Sequence, residues 1–305
     1  MSQELVVRFW GVRGSYPVPG ARTLRFGGNT PCVEIQAGVH TIILDAGTGI
    51  INLGGDLVRR AHASNDAPIV ATIFFSHMHH DHTQGFPFFE PAYFSSSTLQ
   101  MLGPRVFAND LQDMLTRSML PPNFPISLDE LAALKKMWNI ADADVVLLGT
   151  TPTDISILNA ERDVIPFSPD VARVSVYHSY AHPKSGVHSY RIDWQHTSVV
   201  YATDIEACAE GDEKFIAFAR HANLLIHDAQ YEYADYVDAV RPRQGWGHST
   251  MDIACEIATR SEVQKLVLFH HDPTYDDAKI AAIEARAQQI FPHVEAAYEG
   301  LEIHI

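Results

Sequence analysis

Short runs of β-branched and aromatic residues recur along the 305-residue chain, at 5–10, 33–35, 41–44, 69–75, 145–148, 171–177, 198–202, 224–226 and 266–269, with turn residues between them. Such side chains suit a pleated, half-buried surface, so each run predicts a strand. Several do not alternate: Ala71-Thr72-Ile73-Phe74-Phe75 is almost wholly apolar. That pattern implies burial on both faces, with helices packed over a sheet. Apolar positions at helical spacing predict helices over 51–63, 127–138, 249–259 and 275–289, the second opened by a Ser127-x-x-Glu130 capping box. Strands and helices interleave, so the expected class is α/β. No low-complexity tract or shift in composition divides the chain, and one domain over 1–305 is expected. The stretch 109–144, which carries Pro121-Pro122-Asn123-Phe124-Pro125, predicts a helical excursion that caps a pocket or fills an edge.

Composition narrows the function. With 22 Lys+Arg against 37 Asp+Glu the formal charge is −15, which disfavours broad electrostatic binding to polyanions. Cys32, Cys208 and Cys255 form neither a disulfide framework nor a zinc knot and suit a reducing compartment. The first strand run begins almost at once, without the basic and apolar regions of a secretory leader. No apolar run approaches the ~18 residues at which a membrane span becomes a candidate. The expectation is a cytoplasmic protein with no membrane partner.

The densest chemistry follows the strand at 69–75. There Ser76-His77-Met78-His79-His80-Asp81-His82-Thr83-Gln84-Gly85 places five metal-competent side chains within six residues. Imidazole nitrogen and carboxylate oxygen are ligands that zinc, manganese and iron accept, and a loop leaving a buried strand can fold them around two ions. The competing reading is a His-rich surface loop; the ordered spacing weighs against it.

These residues match H-x-H-x-D-H, and the chain resembles the metallo-β-lactamase superfamily. Arg8-Phe9-Trp10-Gly11-Val12-Arg13-Gly14-Ser15, Gly27-Gly28-Asn29-Thr30-Pro31-Cys32-Val33-Glu34 and Leu44-Asp45-Ala46-Gly47-Thr48-Gly49 resemble its phosphodiesterase branch, which includes tRNase Z and cyclic-nucleotide phosphodiesterases. The resemblance implies a four-layer αββα sandwich and two divalent metal ions, zinc first, with manganese or iron as alternatives. It implies His77, His79 and His182 on the first metal. His182 is chosen because His182-Pro183 with Tyr190-Arg191-Ile192 resembles a family segment, though His178 and His188 stand nearby. Asp204, in Tyr201-Ala202-Thr203-Asp204, would bridge the metals; taken alone, a strand-end Asp is an ordinary turn former. Asp81, His82, Asp204 and His270 would hold the second metal, with His271 as the fallback.

A second cluster, Leu225-Ile226-His227-Asp228-Ala229-Gln230 with Gly245-Trp246-Gly247-His248-Ser249-Thr250, resembles the tRNase Z pattern. It implies His248 as proton donor and Asp228 as its orienting carboxylate, alongside Asp81 in the catalytic set. Ser249 followed by Asp252 also reads as an ordinary helix start. The implied reaction is phosphodiester hydrolysis by a hydroxide held between the metals. Arg13, Ser15 and Lys184 are candidate phosphate contacts. The acidic balance and the lack of a Gly/Pro-rich arm favour a small phosphodiester such as a cyclic nucleotide over a large nucleic acid, and a homodimer is left open. The rival readings are a lactonase or carboxyl-ester hydrolase on the same metals, and a metal-bound binding module without turnover.

Overall fold

A computed structural model describes residues 4–106, 109–122, 124–207 and 212–305, so Cys208 and Asn123 lie outside the described residues. The chain begins with β1 (Leu5–Gly11), β2 (Cys32–Ala37), β3 (His40–Leu44), α1 (Gly49–Ala63), β4 (Val70–Phe74) and the single turn α2 (His80–Thr83). It continues through β5 (Thr98–Pro104), α3 (Leu111–Ser118), β6 (Leu134–Ile140), β7 (Asp144–Leu148), β8 (Ile155–Asn159), β9 (Ala172–Ser179), β10 (Val187–Trp194) and β11 (Thr197–Ala202). Then come α4 (Glu213–Ala219), β12 (Leu224–Asp228), α5 (Tyr233–Tyr236), α6 (Met251–Arg260), β13 (Lys265–Phe269), α7 (Asp277–Ile290), β14 (Val294–Ala296) and β15 (Glu302–His304).

Two mixed sheets result, ordered β15-β1-β2-β3-β4-β5-β6 and β14-β13-β12-β11-β10-β9-β7-β8. Each contains a parallel block, β3 to β6 in the first and β11 to β14 in the second. Side-chain alternation explains the apolar runs. Ile42 and Leu44 of β3 enter the core between the sheets, whereas Ile43 faces the layer of α1 with Ile50 and Leu53. In β13, Val267 and Phe269 point inward while Leu266 and Leu268 meet Ile257 of α6 and Ile283 of α7. A strand read as a continuous hydrophobic run is therefore buried on both faces, and the layers stack αββα. Each fully buried Leu, Ile or Phe contributes about 1.5–3 kcal/mol.

Tyr190 ties the sheets together close to the site. It is fully buried, its ring lies 5.2 Å from that of Phe74, and its hydroxyl donates to the Phe75 carbonyl at 2.5 Å. Tyr190→Phe keeps the ring but orphans that carbonyl, so urea unfolding should show a loss of about 1–3 kcal/mol with little change in m. An unchanged midpoint would mean that the carbonyl finds another donor.

The segment 127–138 departs from the expected helix. The capping box forms as anticipated, with the Ser127 N–H and hydroxyl donating to Glu130 at 2.7 and 2.9 Å, but it closes only one 3-10 turn, Leu128–Glu130. The chain is extended from Leu131, and Leu134–Ile140 pairs in parallel with β5. Among the described residues, the 109–144 excursion is accordingly α-helical only at α3, with one 3-10 turn at Leu128–Glu130. A capping box satisfies local donors, whereas a long-range pairing partner decides the next residues. Among the described residues Cys32 and Cys255 are free and buried, and no helix is long and apolar enough to cross a membrane.

Candidate metal centre

The C-terminal ends of the parallel strands converge on one place, where open α/β sheets commonly site their chemistry. Asp45 follows β3, the His77-to-His82 loop follows β4, Asp204 follows β11, Asp228 ends β12 and His270 follows β13. Asp45, Asp204 and His270 take φ of 63°, 52° and 62°. Left-handed non-glycine residues of this kind cost of order 1–3 kcal/mol each and persist where the surrounding structure holds them. Here the reversal turns the chain at the strand end and aims the side chain into the cluster. Gly14 gives His270 room, because a Cβ there would lie 2.5 Å from its ring.

Asp204 belongs to three groups of potential ligands: His77, His79, His182 and Asp204; Asp81, His82, Asp204 and His270; and Asp204, Asp228, His248 and His270, with the ligand atoms of each within 4.8 Å of one another. In the third, His248 and Asp228 are already paired at 2.8 Å, which leaves the first two as the donor sets. That span suits a cation held about 2.0–2.2 Å from each donor. His82 Nε2 lies 3.1 Å from Asp204 Oδ1 and 3.3 Å from His270 Nε2, and His79 Nδ1 lies 3.1 Å from His182 Nε2. His77 supplies the test of fit. Its Nε2 is buried, has no hydrogen-bond partner and lies 3.7 Å from Asp204 Oδ2. An orphaned polar atom costs about 1–3 kcal/mol, which coordination would remove. Burial drives His77 well below its usual pKa and takes His79 down to about 4. Both rings are neutral near pH 7, as ligands must be. The residues present fit divalent cations.

Partners behind the donors fix their orientation. Asp45 accepts from the Ser76 N–H at 2.7 Å and from the Ser76 and Tyr201 hydroxyls at 2.8 Å, and pairs with His82 Nδ1 at 2.7 Å. Gln230 Oε1 holds His270 Nδ1 at 2.8 Å, and the Ser15 N–H donates to Asp81 at 2.7 Å. Asp228 gathers the neighbouring loops: it accepts from the Asp204, Gln230 and Ser249 N–H groups at 3.1, 3.1 and 2.9 Å, and from His248 Nδ1 at 2.8 Å. The His248 ring stacks on His270 at 5.0 Å. Burial lowers the His248 pKa, but the charge and hydrogen bond of Asp228 outweigh it and raise the value to about 9.

The profile of the Beta-lactamase superfamily domain matches residues 40–271, most of the chain and nearly all of this cluster. The chain belongs to the metallo-β-lactamase superfamily. It is similar to Ribonuclease Z of Pyrococcus horikoshii, at 25% identity over 94% of this chain and 93% of that protein. The metallo-beta-lactamase fold protein YhfI of Bacillus subtilis superposes with a TM-score of 0.66 at 18% identity, covering 100% of both chains. A diphosphatase of the PhnP family superposes at 0.62 and 15% identity, covering 99% of this chain and 98% of that one. This superfamily member is a metal-dependent hydrolase, with His and Asp groups able to form a divalent metal site. A relative named as a ribonuclease does not fit the expectation that a large nucleic acid is disfavoured.

The structure brings the nine residues expected as metal ligands or catalytic groups of this hydrolase into one cluster: His77, His79, Asp81, His82, His182, Asp204, Asp228, His248 and His270. It separates the adjacent histidines, because His271 turns away to the Ala297 carbonyl at 2.9 Å and only His270 joins the donors. Arg13 is no phosphate contact: it is fully buried and donates to the carbonyls of Gly27, Asp272 and Tyr275. The N-cap of α6 is Thr250 rather than Ser249, whose hydroxyl instead donates to the Ile205 carbonyl at 2.6 Å. Asp45 and Gln230, which hold His82 and His270, are not among the site residues named from the sequence, although both stand in quoted segments, Leu44-Asp45-Ala46-Gly47 and Leu225-Ile226-His227-Asp228-Ala229-Gln230.

Proposed function

We propose that this hydrolase is a dinuclear phosphodiesterase, with zinc favoured by a donor set of imidazoles and carboxylates. The observation that carries the reading is Asp204 shared by two donor sets, with a carboxylate-held histidine packed beside them. His77, His79, His182 and Asp204 would hold one cation, and Asp81, His82, Asp204 and His270 the other. When bound, the cations make water available as a nucleophile near neutral pH and offset charge on the phosphoryl oxygens.

The chain's own residues do the rest. Asp45, Gln230 and the Ser15 N–H hold His82, His270 and Asp81 in place. Asp228 occupies Nδ1 of His248, so Nε2 carries the proton available to the leaving oxygen. The formal charge of −15 supports a small phosphodiester such as a cyclic nucleotide. Similarity to Ribonuclease Z supports RNA as the competing substrate.

The test is turnover of bis(p-nitrophenyl) phosphate by metal-analysed protein, after chelation and after reloading with zinc or manganese. Activity should vanish on chelation and return with metal. Cyclic nucleotides and an RNA with a 3′ extension then separate the two substrate sizes. Two bound metals per chain without phosphodiester turnover would sink the reading and put a lactone substrate ahead.

A further inference from the structure

Glu206 lies two residues beyond Asp204, and its carboxylate is spent on the loop that carries the proton donor. Oε1 accepts from the Gly245 N–H at 2.7 Å and the Tyr236 hydroxyl at 2.6 Å, and Oε2 accepts from the Gly247 N–H at 2.8 Å. Gly245 and Gly247 have φ of 80° and 90°, and a Cβ on Gly247 would lie 2.2 Å from His182 Nδ1. The Gly247 carbonyl instead accepts from His182 Nδ1 at 3.2 Å. The next residue is His248.

The other side of His248 is tied to the same segment. Ser249 Oγ donates to the Ile205 carbonyl at 2.6 Å and accepts from the Ala207 N–H at 3.2 Å. Residues 205–207 thus grip the chain on both sides of the histidine, at the Gly245 and Gly247 N–H groups before it and at the Ser249 hydroxyl after it, directly downstream of the shared carboxylate Asp204. Tyr236 extends the grip to the segment between Tyr231 and Gly247, where Arg243 lies 5.0 Å over the Tyr231 ring and that ring lies 5.7 Å from His248.

We propose that Glu206 is a positioning residue: it latches the Gly245-to-Gly247 turn and so fixes the distance between the proton donor and the metal-binding carboxylate. The catalytic part of this proposal rests on the phosphodiesterase reading; the latch itself does not. Glu206→Gln keeps the side-chain shape but replaces one acceptor oxygen with an amide NH2, so at least one glycine N–H loses its partner. Glu206→Asp keeps both oxygens on a shorter stem.

The experiment combines hydrogen exchange, metal content and leaving-group dependence in Glu206→Gln, Glu206→Asp and the Glu206→Gln/His248→Gln double variant. In Glu206→Gln, amide exchange over 245–248 should quicken roughly tenfold, with wild-type metal content. Turnover of a phosphodiester with an alkoxide leaving group should fall about 100-fold, the scale of a catalytic group displaced by about 1 Å, while a 4-nitrophenolate ester is little affected. Glu206→Asp should recover part of both effects, and the double variant should be no slower than His248→Gln alone. Unchanged exchange, an equal loss on both leaving groups, or multiplicative losses in the double variant would each overturn the proposal. If the wild-type protein hydrolyses neither ester, the phosphodiesterase reading fails and the exchange result alone decides whether the latch exists.

Discussion

Replacing Asp204 with alanine is expected to lower both metal occupancy and turnover by more than about 100-fold. Loss of a mere hydrogen-bonding partner of a metal ligand typically costs about 10–100-fold in affinity or activity, and Asp204 is offered directly to both donor sets. Its carboxyl is held well below the usual range: burial would raise it, but His270, His82 and His77 around it prevail. Removing it takes away the nearer of the two carboxylates that His82 and His270 Nε2 face, Asp204 Oδ1 at 3.1 Å from each, and leaves only Asp81 Oδ2 at 3.4 and 3.2 Å. Metal equivalents per chain by elemental analysis, with kcat after reloading, check the prediction. Two equivalents retained at wild-type affinity would show that Asp204 bridges nothing.

The second large effect belongs to His248. Glutamine in its place keeps a polar side chain near Asp228 but has no transferable proton, and general-acid catalysis is worth about 10²–10⁴-fold. The loss should fall on kcat for substrates that leave as alkoxides and be slight for a leaving group that departs readily as an anion. Metal content should stay at the wild-type level, because His248 stands outside the two sets built on His77 and His82. A uniform loss across leaving groups would mean that His248 supports the cluster rather than donating a proton. Full activity on every substrate would remove it from the mechanism.

Much of the site was legible before the fold, for a local reason. His77, His79, Asp81 and His82 sit within six residues, so a single loop after one strand delivers them and their spacing is visible as a motif. The apolar runs likewise signalled double-sided burial, since strand alternation sends Ile43 and Leu44 of one run into different cores. Asp204, Asp228 and His270 come from distant segments and were found through family resemblance rather than spacing.

What escaped depends on partners far away in the chain. Residues 134–138 fall within the helix expected over 127–138 yet belong to a strand, Leu134–Ile140, because β5 offers an open parallel edge. Resemblance alone favours His270 over its chemically identical neighbour His271; the left-handed turn at His270 and the Ala297 carbonyl on the other ring are the physical reason that His270 faces the donors. Arg13 reads as a cationic substrate contact, but three backbone carbonyls bury it. Glu206 is one acid among many until Gly245 and Gly247 close on it. Alternation and ligand density are properties of neighbouring residues, so double-sided strand burial and the chemical type of the candidate site are legible locally. Which scattered side chains meet is settled by strand pairing and backbone reversals, which bring together residues that no local pattern connects.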